Sequence, residues 1–192
     1  VVGLYLVAVG GWPVLAAGTL AMLTAWAYTG GPWPLGYHGL GDLAVFVFFG
    51  LVAVNGTVYV QTLEWSLPAL WASLPVGALA TAILVVNNLR DIASDARTGK
   101  RTLAVRLGAR AARAEYASLL AVAFAAPIGA IATGAAPPSA AAVWLSLPLA
   151  VSLGRQVAIR EGAALNPLLG GTARLLAVHS GLLALGTALG IG

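Results

Sequence analysis

Six predominantly apolar runs follow one another along the chain, at residues 12–28, 40–60, 67–88, 114–133, 140–157 and 172 to the end. About 20 apolar residues, wound at 1.5 Å per residue, cross the roughly 30 Å hydrocarbon layer of a bilayer. Each run meets that requirement within a turn, and lipid leaves the helix as the conformation that satisfies its own backbone. Composition agrees: 60% of the residues are hydrophobic and 8% charged, against roughly 25% charged in soluble domains. Residues 1–9, VVGLYLVAV, are apolar but too short to span, and Gly10 and Gly11 turn the chain after them. The expected architecture is an all-α polytopic membrane bundle, one unit over residues 1–192, with six full spans and a truncated first helix.

Position 1 is Val, the single methionine is Met22 and no cationic segment precedes the first apolar run, which predicts a chain lacking its natural start. The absence of cysteine excludes disulfides and thiolate chemistry. A net charge of +4 would suggest nucleic acid in a soluble chain, but no basic face interleaved with aromatic residues accompanies it. Membrane lipid, and not nucleic acid, is the expected partner.

The charges instead set topology. If all six runs cross, the segments after the first, third and fifth share one side. Seven cations (Arg90, Arg97, Lys100, Arg101, Arg106, Arg110, Arg113) lie in or beside the segment between the third and fourth runs, and three (Arg155, Arg160, Arg174) flank the segment between the fifth and sixth, which accounts for all ten. So complete a bias assigns that side to the cytoplasm.

Residues 86–108, VNNLRDIASDARTGKRTLAVRLG, hold two of the six carboxylates and five of the ten cations. Asp91 and Asp95 are one helical turn apart and Asn87 lies one turn before them. A continuing helix would project all three from one face, with Asn88 at its border. Paired carboxylates with amide oxygens suit Mg²⁺, a hard cation whose remaining positions go to water and substrate phosphates. Gly99, Lys100, Arg101 and Thr102 add a flexible backbone, two cations and a hydroxyl, groups that bind a diphosphate and stabilise charge on it as it leaves. The rest of such a ligand, held above apolar helices, would be lipid-like. A plainer reading uses the same residues: Asp91 pairs with Arg90, and Asp95 with Arg97 or Lys100, on a solvated loop, for about 0–1 kcal/mol per pair. Spacing alone leaves both open.

The order of the letters goes further. NNLRDIASDARTGKRTLAVRLG resembles the second aspartate motif of the UbiA-type intramembrane prenyltransferases, in the branch that prenylates 1,4-dihydroxy-2-naphthoate in menaquinone synthesis. Residues 28–61, YTGGPWPLGYHGLGDLAVFVFFGLVAVNGTVYVQ, and 165–175, LNPLLGGTARL, resemble the same branch, so the likeness covers nearly the whole chain. It implies the UbiA-type helical fold in a bacterial cytoplasmic membrane, with the charged loops facing the cytoplasm. It further implies a polyprenyl diphosphate held through Mg²⁺ by two aspartate motifs, ionised to an allylic cation and captured by the naphthoate ring. Carbon dioxide is lost from the alkylated carbon, giving demethylmenaquinol or its quinone. On this resemblance Asp91 and Asp95, with Asn87, bind the metal, Asn87 and Asn88 support the substrate site, and Lys100 and Arg101 hold phosphate.

Two features depart from the family pattern. Its first aspartate-rich motif has no counterpart, because Asp42, Glu64, Glu115 and Glu161 lack a carboxylate partner at helical spacing. That predicts the C-terminal two thirds of a longer chain, inactive alone. Where family members often carry a basic residue and a tyrosine, this chain has Trp33 and Leu35, and Trp33 and Tyr37 are expected as interfacial anchors.

Several other residues have two readings. Asn55 and Tyr59, one turn apart in the second run, are candidates for the substrate pocket or for packing across helices. Asp42, just ahead of an apolar run, is expected to cap free amides. His38 either orients the acceptor or is solvated, while His179 is expected to be packed and hydrogen-bonded. Asn166 and Arg174 either close the site or serve as a cap and a surface anchor. Two rival functions follow: a relative acting on another aromatic acceptor, and a transporter using the aspartate pair as an ion site. Transporter sites lie near the membrane midplane on broken helices, whereas these acids follow the third run at its cytoplasmic rim.

Overall fold

The computed structural model describes residues 1–190, and among them there is no strand. Helix α1 (Val2–Thr29) leads through a 3-10 turn (Leu35–Tyr37) to α2 (Gly41–Val45), which passes by a π-helical segment (Phe46–Val52) into α3 (Ala53–Thr62). Then come α4 (Leu67–Arg90), α5 (Ile92–Arg97) and α6 (Leu103–Ala132), a 3-10 stretch (Pro138–Ser146), α7 (Leu147–Ile159), a short 3-10 turn (Gly162–Leu165) and α8 (Asn166–Leu189). Six helical stretches are long and apolar enough to cross a membrane: Val2–Thr29, Gly41–Thr62, Leu67–Arg90, Leu103–Ala132, Pro138–Ile159 and Gly162–Leu189. Each overlaps one of the six apolar runs.

The expected truncated helix is an arm of the first span. Residues before Gly11 join α1 across a kink at that glycine, whose φ of 66° and ψ of −151° leave helical space. Glycine reaches a positive φ without steric cost, and Pro13 falls in the first turn beyond it, where a missing N–H leaves no bond unmade. The last run was expected to continue to the end of the chain, and its Ile191 and Gly192 lie outside the described residues.

Helix α4 sits at the centre. Its start is capped by Ser66, whose hydroxyl accepts from the Ala69 amide at 3.3 Å. Ala69, Ser73, Gly77, Thr81, Val85 and Leu89 recur every fourth residue and are all buried, a ridge whose small members let neighbouring backbones approach. The approach is closest where Gly50 of the π-helical segment meets Gly77: a methyl added at Gly50 would lie 2.5 Å from the Gly77 Cα. The main core gathers Leu79, Ala82 and Val86 of α4, Ala112 and Tyr116 of α6, Leu153 of α7 and Leu175 of α8. The Tyr116 hydroxyl meets the Thr172 hydroxyl at 3.1 Å, linking α6 to α8.

The charged stretch is neither one continuing helix nor a plain loop. After α4 it forms α5, a turn, and then the start of α6 at Leu103, about three turns before the apolar run at residue 114. Thr102 caps α6 by accepting from the Val105 amide at 3.3 Å. Its hydroxyl is buried in that role, which removes it from the groups that could face a diphosphate. Gly108, with φ 83° and ψ 169°, breaks α6 into a short segment at the charged end and a long span. The sixth span likewise begins earlier than the apolar pattern, because LNPLLGG is helical from Asn166 onward.

Candidate active site

Helix α4 ends because Asp91 leaves helical space, with φ −99° and ψ 8°. The hydrogen-bond spacing nevertheless survives the break: the Asp91 amide donates to the Asn87 carbonyl at 3.1 Å and the Asp95 amide to the Asp91 carbonyl at 2.8 Å. Asn87, Asp91 and Asp95 thus keep their one-turn intervals, while the side chains find different partners. Arg90 donates to both carboxylate oxygens of Asp91, from Nε at 2.7 Å and from Nη2 at 2.6 Å. The same guanidinium reaches Asn87 Oδ1 at 2.8 Å and, across the bundle, Asn166 Oδ1 at 3.1 Å. Its hydrogen bonds hold the Asp91 carboxyl below the usual carboxylate range, against a partial burial that acts the other way. Asp91 is therefore a carboxylate throughout the neutral range.

Asp95 is 9% exposed and pairs with Lys100, whose Nζ donates at 3.0 Å. The turn between them is closed by the Lys100 amide donating to the Asp95 carbonyl at 2.9 Å, with Gly99 at φ 77°. Arg101 follows with an exposed side chain. Its amide donates to the Tyr37 carbonyl at 3.2 Å, and its own carbonyl accepts from Arg106 Nε at 2.9 Å. The loop after α1 is thereby docked on the charged turn. Within that loop Trp33 stacks on His38 at 4.2 Å, and His38 Nδ1 donates to the Pro34 carbonyl at 2.8 Å. His38 is engaged in folding the loop, and Trp33 and Tyr37 are exposed as expected of anchors.

Two assignments change. Asp42 makes no capping hydrogen bond; it is the second residue of α2, 5% exposed, and its Oδ1 accepts from Asn88 Nδ2 at 3.3 Å. Asn88 is itself 4% exposed. Adjacent residues on a helix point about 100° apart, so Asn87 turns to Arg90 while Asn88 turns inward to Asp42 and does not border the aspartate face. Asn55 and Tyr59 are not brought to this end. They line an apolar cavity of about 780 Å³ between α1, α3 and the start of α4, where Tyr59 stacks on Trp65 at 4.9 Å and Asn55 donates to the Leu51 carbonyl at 2.8 Å. His179 is fully buried, with Nδ1 at 3.1 Å from the Ser146 hydroxyl and its ring edge-on to Phe124. Arg174 is exposed.

Arg90, Asp42 and the tie to Asn166 are what residue-by-residue reading underrates. Arg90 reads as a local counter-ion and Asp42 as a cap, because their partners Asn166 and Asn88 are 76 and 46 residues distant. The donor set at the end of α4 is all oxygen: carboxylates of Asp91 and Asp95 and the amide of Asn87. That suits a hard divalent cation. Among the described residues no group of three or more His, Cys, Asp or Glu side chains is placed to hold an ion. Two carboxylates and an amide oxygen are a set of the kind that shares Mg²⁺ with phosphate oxygens and water. Lys100 pairs with Asp95 beside it and Arg101 follows with its guanidinium exposed, two cations of the kind that pair with phosphate.

The profile of the UbiA prenyltransferase family matches residues 1–164. A 1,4-dihydroxy-2-naphthoate octaprenyltransferase of Mycobacterium tuberculosis is 54% identical over 110 residues, covering 57% of this chain and 38% of that protein. The protein of the same name from Escherichia coli is 50% identical over 107 residues, 55% of this chain and 34% of that one. The one from Bacillus subtilis is 35% identical over 146 residues, 76% of this chain and 47% of that one. The matched stretches span less than half the length of each of these relatives.

Proposed function

The chain belongs to the UbiA prenyltransferase family, and from that footing we propose that it contributes the Asp91–Asp95 side of a site that transfers a polyprenyl group from polyprenyl diphosphate to 1,4-dihydroxy-2-naphthoate. The product, after decarboxylation, is demethylmenaquinol, which a separate two-electron oxidant would convert to demethylmenaquinone. One observation carries the reading: Asn87, Asp91, Asp95 and Lys100 are gathered at the end of the most deeply packed span, on the face that holds the cations. The names of the relatives support the acceptor.

In this reading Asp91, Asp95 and the Asn87 amide oxygen hold Mg²⁺, which when bound neutralises charge on the diphosphate. Lys100 and Arg101 donate to phosphate oxygens and stabilise the leaving group as the allylic C–O bond breaks and its electron pair departs with the diphosphate. The apolar span walls keep water from the allylic fragment. The ring carbon bearing the carboxylate forms the new C–C bond, and the pair from the ring–carboxylate bond returns to the ring as carbon dioxide leaves. The charged end faces the cytoplasm of a bacterial cell, with the six spans in its membrane.

Supplying the complete gene product in membranes with polyprenyl diphosphate, Mg²⁺ and competing aromatic acceptors tests this. Prenylated, decarboxylated naphthoate is the expected main product. A preference for 4-hydroxybenzoate would overturn the acceptor.

A further inference from the structure

Four oxygen atoms converge on the guanidinium of Arg90: both from the Asp91 carboxylate, Oδ1 of Asn87 and Oδ1 of Asn166, at 2.6 to 3.1 Å. Arginine only donates, so each amide must present its oxygen to the centre. Asp91 and Asn87 reach it from α4 and its end. Asn166 arrives separately, as the first residue of α8, positioned by Leu165, which is fully buried in the core. Asn166 is exposed, so its amide has no desolvation to offset and water would serve it as well as Arg90 does. Its aim at this centre is set by the chain's geometry and not by a need for a partner.

A carboxylate and two amide oxygens around one cationic centre form the donor set of a hard divalent ion. We infer that Asn166 is a binding residue of the metal-diphosphate site, and that Arg90 is a counter-cation which yields this centre to the metal and turns its donors to the diphosphate. The inference rests on the metal-diphosphate reading above. Arginine suits the exchange, since its planar fork pairs with carboxylate and phosphate alike. The segment between α7 and α8 thereby joins the site through Asn166.

The alternative is a staple, in which Asn166 acts only by tying α8 to Arg90. Mn²⁺ binding in the presence of inorganic pyrophosphate, followed by the electron paramagnetic resonance of the free ion on purified, detergent-solubilised protein, separates the two. Asn166→Ala is expected to weaken binding about 10-fold, the scale of a lost supporting ligand, in the native protein and equally in an Arg90→Ala background. Asn166→Asp, which keeps an oxygen, should bind at least as tightly as native. An Asn166→Ala effect that is absent, or that disappears once Arg90 is removed, overturns the inference, as does Asn166→Asp falling with Asn166→Ala. Asp91→Asn and Asp95→Asn mark the boundary with the underlying reading. If neither alters Mn²⁺ binding, the metal-diphosphate site itself is wrong; if they abolish it and Asn166→Ala does not weaken it, only the role of Asn166 fails.

Discussion

Helices α1 and α4 are both apolar enough to span a membrane, yet 6% of the most apolar window in α1 is buried within the structure against 56% in α4. In α1 the one buried residue is Gly10, and Trp12, Leu20, Leu23 and Trp26 are exposed on several sides. In α4 a ridge of small residues meets the neighbouring helices and the amides of Asn87 and Asn88 close the charged end. Hydrophobicity commits a segment to lipid but says little about its place among other helices, because lipid tails are as apolar as leucine. What distinguishes α4 is the set of small and polar side chains that give close backbone contact and specific bonds.

The sharpest break of that comparison is chemical. Asp91→Asn in the complete gene product should lower prenyl transfer by about 10³-fold or more, several kcal/mol of lost charge stabilisation, with membrane insertion unchanged; undiminished transfer would remove Asp91 from the site. Packing comes next. Gly77→Leu places its Cβ about where the Phe46 carbonyl oxygen lies 3.0 Å away and the Gly50 Cα 3.1 Å away. Backbone cannot swing aside, so thermal denaturation in detergent should show a loss of about 2–3 kcal/mol. Gly18→Leu in α1, where an added Cβ meets nothing within 4 Å, should leave the melting temperature nearly unmoved. Equal losses would show that α1 is as closely packed as α4.

Smaller effects refine the picture. Leu63 ends α3 in the left-handed region at φ 59°, a conformation that costs a side-chain-bearing residue roughly 1–2 kcal/mol. Leu63→Gly should therefore raise stability by about 0.5–1 kcal/mol once glycine's own entropy is counted. Thr172→Val removes the hydrogen bond to Tyr116 between α6 and α8. Denaturation should report about 0.6 kcal/mol, the average for such bonds in membranes, and a value near zero would mean that this contact adds nothing to packing.

The span positions were legible because length and apolarity suffice to define them. The helices within the charged stretch were not, since a run of charge reads as solvated loop; Thr102 ahead of LAV is a capping signal that places the start of α6 at Leu103. The one-turn spacing of Asn87, Asp91 and Asp95 was visible in the letters and survives the break in helical geometry at Asp91. Asp42 was misread for a physical reason. An acid before an apolar run satisfies every local requirement of a cap, and only the packing of α2 against α4 reveals that Asn88 claims it. Asn55 and Tyr59 share one helix face, as their one-turn spacing indicates, and that face lines the apolar cavity away from the charged end.

The pairing of Asp42 with Asn88 also bears on how the protein enters its membrane. Four residues, 63–66, separate α3 from α4, so the loop closes at little entropic cost and the two spans are suited to insertion as one hairpin. At its closed end Ser66 caps α4; at its open end the carboxylate of Asp42 meets the amide of Asn88. The short turn thus brings to Asp42 the donor that its burial requires, and a hairpin formed early supplies that partner within the same pair of helices.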